Sequence, residues 1–205
     1  MYRLEVKKLF KNFGFRKVLR DVSFELQSGQ SLAITGRNGS GKTTLLRLLA
    51  GLASPTRGEV IYYDSSGRLN RSTTRQILSY VGPEMTLYDP LTAEENLRFF
   101  ATMRGVSITS EEIKTTLKEI GLKGRGKDKY GAYSSGMKQR LKYAVALLNK
   151  PAFLLLDEPT SNLDDDGKNL VSKVIERQKE NGILIIATNE KEEYGIAEKL
   201  YQLNS

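Results

Sequence analysis

The segment Gly36-Arg37-Asn38-Gly39-Ser40-Gly41-Lys42-Thr43-Thr44 constrains this chain more than any other. An apolar run from Ser31 to Thr35 leads into it, and Leu45, Leu46, Leu48 and Leu49 follow it before Gly51. That order predicts a short buried strand, a glycine loop and a helix with one apolar side. The spacing meets G-x-x-x-x-G-K-[ST] in full. Glycines let consecutive backbone N–H groups turn inward around phosphate oxygens. The helix start adds about half a positive charge at the same point. Lys42 offers a mobile full charge to the outer phosphates, and Thr43 offers a hydroxyl to Mg²⁺. Gly36, Asn38, Gly39, Ser40, Gly41, Lys42, Thr43 and Thr44 are therefore expected to cradle a nucleoside triphosphate.

A pair of acids lies at the far end of another apolar run, Leu154-Leu155-Leu156-Asp157-Glu158-Pro159. Runs such as 153–156 and 183–187 are buried on both faces, as in a parallel sheet. Ligands of open α/β sheets gather at the C-terminal tips of such strands. Asp157 is placed to hold Mg²⁺ through a water. Glu158, on the other side of the strand end, is placed to polarise an attacking water as general base.

Strands that alternate with helices predict an α/β fold with a three-layer core. Patchy alternation over residues 2–9 and 22–26 adds an antiparallel β layer, with further strands at 59–63 and 77–82. Residues 64–70 read as a polar turn. Residues 85–132 contain helical patterns and no strand, and read as a helical subdomain inserted in one domain of residues 1–205. One helix starts at Thr92; another spans residues 110–120, with Thr109 as N-cap and Glu112 as its capping-box partner. Later helices start after Ser134 or Ser135 and at Asp164. A short surface helix is expected at 190–198 and an edge strand at 199–203.

Composition narrows the partners. Without cysteine or histidine, no disulfide framework can form and a zinc site would need carboxylates alone. No run approaches the roughly 18 apolar residues that span a bilayer, and residues 1–5 do not resemble a secretory leader. A cytoplasmic location is expected, with any membrane attachment supplied by a partner. The formal net charge is +8. Its densest stretch, Lys123, Arg125, Lys127 and Lys129, is not interleaved with aromatics, so no nucleic-acid partner is expected.

A further segment, Tyr133-Ser134-Ser135-Gly136-Met137-Lys138-Gln139-Arg140, resembles the L-S-G-G-Q signature of the ABC ATPase family followed by K-Q-R. Taken by itself, it is a serine-capped helix start. Beside two nucleotide motifs it is a second anion site, with Ser134 and Gly136 as its donors. The resemblance covers the whole chain. Ser161-Asn162-Leu163-Asp164 is similar to the family D-loop. Phe13 matches the aromatic that stacks on adenine, with Phe15 as the competing ring, and Val18 matches the small apolar residue behind it. The resemblance implies a P-loop core of ABC ATPase type that hydrolyses ATP with Mg²⁺. It also implies a homodimer in which the signature of one copy closes over the ATP of the other. Separate transmembrane permease subunits would use the work, with this chain on the cytoplasmic face.

Two positions depart from the family pattern. Asn189 stands where the family carries a histidine that contacts the γ-phosphate. An amide can donate there but cannot titrate near neutrality. Pro83 stands where the Q-loop glutamine sits, and Glu84 would reach the metal if the loop shifts by one residue. The layout of residues 82–97 is similar to the haem-exporter ATPase of cytochrome c maturation. Two other uses of such a cassette fit less well. A DNA-repair ATPase would carry a long coiled-coil insertion and a translation factor a second cassette. A regulatory module with little hydrolysis would not need Lys42, Asp157 and Glu158 together.

Overall fold

The computed structural model describes residues 1–161, 163–190, 193 and 195–203. The chain opens with a long hairpin, β1 (Arg3–Phe13) and β2 (Arg16–Gln27), then enters β3 (Ser31–Thr35) and α1 (Lys42–Leu49). Next come β4 (Arg57–Asp64), β5 (Gly67–Arg68), α2 (Arg71–Ile77) and β6 (Leu78–Val81). Helices α3 (Ala93–Met103) and α4 (Ser110–Glu119) follow, with a 3₁₀ turn at Tyr130–Ala132. The last elements are α5 (Ser135–Leu147), β7 (Phe153–Asp157), α6 (Asp165–Asn181), β8 (Ile183–Ala187) and β9 (Lys199–Gln202).

Two sheets result. One is antiparallel in the order β2-β1-β4-β5; the other has the order β6-β7-β8-β3-β9, with every pair parallel. Every residue of β7 and β8 is buried, as the apolar runs 153–156 and 183–187 require. The patchy alternation of the hairpin also has a structural cause. Leu4, Val6 and Leu9 of β1, and Leu19, Val22 and Leu26 of β2, all face the core. The three-residue steps in this series flank Lys8 and Asp21, whose φ values are 43° and 52°. The register slips between Val6 and Leu9, so bulges restore the inward face after each extra residue.

One apolar cluster fills the space between the antiparallel layer, α1 and the parallel sheet, and includes Leu45, Leu46, Leu48 and Leu49 of α1. A second lies on the other face, where Tyr143, Val171 and Ile175 cover Leu154, Leu156, Leu184 and Ile186. A third gathers Leu97, Ile113, Leu117, Tyr130 and Tyr133 with Leu141, Ala144 and Val145 of α5. Helix α5 therefore belongs to both helical clusters.

The start of α3 carries a full capping box between Thr92 and Glu95, and the start of α4 carries the expected one between Thr109 and Glu112. Helix α2 fills residues that the sequence reading leaves unassigned between a polar turn at 64–70 and a strand at 77–82; Ile77 ends this helix instead of starting the strand, and β5 forms within the expected turn. The helix is capped by Asn70, which accepts from the Thr73 N–H, and it buries no residue. A helix without an apolar stripe leaves no periodic signal. Of the expected 190–198 helix, Lys191, Glu192 and Tyr194 lie outside the described residues, as does Asn162 in the D-loop-like segment.

A candidate nucleotide-binding site

The loop between β3 and α1 needs its glycines. Gly36 and Gly41 have φ of 148° and 102°. A methyl group at Gly36 would lie 2.7 Å from the Ser40 Oγ and 2.8 Å from the Leu203 carbonyl oxygen; at Gly41 it would lie 2.9 Å from the Val18 Cγ1. Both backbone angle and close approach exclude a side chain. Gly41 is the N-cap of α1 and offers no capping side chain. The first amides of the helix thus have no intrahelical acceptor and remain available to an anion.

Lys42 projects back over this loop and is 7% exposed. Its Nζ donates to the Gly36 carbonyl at 3.0 Å and to the Asn189 Oδ1 at 2.9 Å, and lies 3.8 Å from the Glu158 Oε1. The Asn189 Nδ2 donates to the Asn38 Oδ1 at 2.6 Å. Asn189 follows β8, Glu158 follows β7 and Lys42 starts the helix after β3. The parallel order β7-β8-β3 is what brings the three tips together.

Asp157 is 2% exposed. Its Oδ2 accepts from the Tyr80 hydroxyl at 3.3 Å, and its Oδ1 is buried with no hydrogen-bond partner. Burial pushes its carboxyl above the ordinary value, opposed by the hydroxyls of Thr43 and Tyr80 and by the charges of Lys42 and Arg47. Burial also pushes the Tyr80 hydroxyl up. The Ser40 Oγ is a second buried orphan. Burial raises the Glu158 carboxyl as well; Lys42 opposes this, while Glu193, Asp157 and Glu190 add to it. A carboxylate with raised proton affinity is a stronger base.

A cleft of about 500 Å³ opens beside the loop. Phe13, Arg16, Val18, Asn38, Lys42 and Glu158 are among the residues that line it. Gly39, Gly41, Thr43 and Thr44 complete its phosphate end. Phe13 ends β1 and pairs with Arg16 across the hairpin turn. The Lys11 Nζ lies 4.8 Å from the centre of the Phe13 ring. Phe15 is fully exposed and does not line the cleft. Arg16 escaped the sequence reading. Its signal is its place two residues before Val18, because alternate residues of a strand share a face.

Three expected contributors lie elsewhere. Ser134 caps α5, accepting from the Met137 N–H at 3.3 Å; it is exposed, Gly136 is half-buried, and neither lines this cleft. Glu84 pairs with Arg47 instead of lining the cleft. Arg47 in turn influences both Tyr80 and Asp157. Among the described residues no cluster of three or more acidic side chains could hold a metal by itself. The donors near Asp157 are oxygens, a set that suits Mg²⁺ when substrate phosphates complete the shell.

A glycine-bounded anion cradle, a buried lysine and two carboxylates at neighbouring tips of a parallel sheet define a P-loop nucleoside-triphosphate site. Residues 19–161 match the ABC transporter family. The chain is 37% identical over 187 residues to the lantibiotic transport ATP-binding protein SrtF of Streptococcus pyogenes, covering 91% of this chain and 79% of that one. It is 31% identical over 200 residues to the cytochrome c biogenesis ATP-binding export protein CcmA of Vibrio parahaemolyticus, covering 98% of each. The linearmycin resistance ATP-binding protein LnrL of Bacillus subtilis is 32% identical, and this chain spans 60% of its length. A solved structure described as the ATP-binding subunit of an ABC transporter superposes with a TM-score of 0.85 at 30% identity, covering 98% of this chain and 85% of that one. The chain belongs to the ABC transporter family, among its ATP-binding subunits.

Proposed function

We propose that this chain binds Mg-ATP in the cleft and hydrolyses it as one half of a homodimer that drives separate transmembrane permease subunits. The observation that carries the reading is the convergence on Lys42. Its ammonium sits between the glycine loop, Asn189 and Glu158, where the outer phosphates of a nucleotide held by the α1 amides would lie. Phe13 and Val18 receive the adenine, Gly36 to Thr44 hold the phosphates, and Lys42 and Asn189 contact the γ-phosphate. Mg²⁺, when bound, supplies positive charge to the phosphate oxygens. Thr43 and the orphan Oδ1 of Asp157 would hold it, and Glu84 would join them only after leaving Arg47. Glu158 accepts the proton of the attacking water.

Ser134 and Gly136 act on the partner copy's nucleotide, a reading supported by their not lining this chain's own cleft. Residues 85–132 act as an inserted helical subdomain, supported by the apolar cluster they share with α5. No described helix is long and apolar enough to cross a membrane. The permease would therefore hold the chain at the cytoplasmic face. Phosphate release from the purified chain, compared with Lys42→Ala and Glu158→Gln, tests the assignment. Both variants should lose turnover, with ATP binding weakened in the first and kept in the second. Turnover equal to wild type in either one overturns the corresponding role.

A further inference from the structure

Glu158 sits on a strained turn. Its φ of 49° lies in the left-handed region, which a residue with a Cβ occupies at a cost. Such strain persists only where the surroundings over-determine it. Here successive backbone groups are tied to different parts of the fold. The Glu158 N–H donates to the Ala187 carbonyl at 2.8 Å, at the end of β8. The Pro159 carbonyl accepts from the Tyr143 hydroxyl of α5 at 2.7 Å. The Thr160 N–H donates to the Glu193 Oε1 at 2.9 Å, and the Thr160 hydroxyl donates to the same oxygen. The Ser161 N–H closes the turn onto the Glu158 carbonyl at 3.1 Å.

The two side-chain anchors are costly choices. Glu193 is 4% exposed, and its Oε2 is buried without a hydrogen-bond partner. A buried carboxylate with one oxygen unmet opposes folding unless its other bonds compensate. Among the described residues, the side-chain carboxylate accepts from the Thr160 N–H and the Thr160 hydroxyl. Tyr143 is fully buried, and its hydroxyl reaches past the apolar cluster around it to a backbone carbonyl of the same turn.

We infer that Tyr143 and Glu193 are positioning residues that hold the Glu158 carboxylate against the attacking water, acting through the backbone of the 158–160 turn without touching the nucleotide. The inference rests on Glu158 being the base. The Tyr143 hydrogen bond also joins α5, whose N-cap is Ser134, to the turn that bears the base.

Steady-state hydrolysis by the full chain tests it, with kcat, KM and the ATP dissociation constant measured for Glu193→Ala, Glu193→Gln, Tyr143→Phe and Glu158→Gln. A misplacement near 1 Å costs roughly 10²-fold in rate. Glu193→Ala and Tyr143→Phe should lose kcat on that order, with KM and ATP dissociation unchanged. Glu193→Gln should recover most of the loss, because an amide oxygen can accept both Thr160 bonds. Wild-type kcat in Glu193→Ala and Tyr143→Phe overturns the inference. So does a loss shared equally by ATP binding, or a Gln variant no better than Ala. Turnover abolished by Glu158→Gln but kept in Glu193→Ala defeats this inference alone. A wild-type level of turnover in Glu158→Gln defeats the base assignment and this inference with it.

Discussion

Phe13 lines the cleft and is the residue proposed to receive the adenine. It is 54% exposed at the end of β1, and the Lys11 ammonium sits over its ring. By analogy with base–aromatic stacking, Phe13→Ala should weaken ATP binding by about 1–3 kcal/mol, or roughly 5–150-fold. Calorimetry with ATP and with pyrophosphate separates the terms, since pyrophosphate binding should not change. Asn189 is the second informative residue. Both ends of its amide are engaged, one by Lys42 and one by Asn38. Asn189→Ala should release Lys42 and lower turnover. Asn189→His should raise turnover, because imidazole carries charge toward the lower end of a scan from about pH 6 to 8. Rates unchanged in both variants would show that this side chain does not reach the γ-phosphate.

Among the elements, α3 and α4 owe their starts to local chemistry that the sequence spells out. In both, a threonine accepts from the third amide of the helix while a glutamate bonds back to the threonine amide. Loss of such a cap costs about 1 kcal/mol. Thr92→Ala should therefore lower the melting temperature by about 2–4 °C in a chain of this size. Hydrolysis at a temperature well below melting should be unchanged, because Thr92 touches no residue of the cleft. A scanning calorimetry trace that matches wild type would mean the α3 start is held by tertiary packing alone. Helix α5 is built otherwise. Ser134 caps it with a single bond at 3.3 Å, while Arg140 pairs with Asp164, the residue that caps α6. Arg140 thus links α5 to the segment after β7.

At the scale of the molecule, the proposed phosphate cradle and the proposed donors at the α5 start lie apart on one chain. A symmetric head-to-tail pair satisfies both sets at once and makes two equal sites. In the proposed homodimer ATP would join the copies, with γ-phosphate oxygens accepting from the partner copy's serine hydroxyl and glycine amide at the α5 start. Glu158→Gln should lose turnover by about 10²–10⁴-fold and collect as a dimer with Mg-ATP. ADP should leave it monomeric. Adding Ser134→Arg should abolish the ATP dimer, because a bulky charge would be buried against the phosphates. Light scattering after size exclusion reads all of these states. A dimer that ignores nucleotide and tolerates Ser134→Arg would rule out this interface.

Much of this protein was legible as sequence because its strongest signals are local. Gly36 to Thr44 encode a backbone shape through φ values and close contacts that glycine alone allows. The runs 153–156 and 183–187 declare buried parallel strands, and Thr109 with Glu112 declares a helix start, since each rests on neighbours a few residues apart. Tertiary structure decided what depends on distant partners. Helix α2 buries nothing, so no periodicity announced it. Bulges at Lys8 and Asp21 broke the alternation of the hairpin while keeping its inward face. Arg16 reached the cleft by pairing with Phe13, and Glu84 was drawn onto Arg47. Tyr143 and Glu193 could not be read from their own segments at all. Their partners are backbone groups 16 and 33 residues away, and only packing of α5 and the post-β8 segment around β7 brings those groups within hydrogen-bond reach.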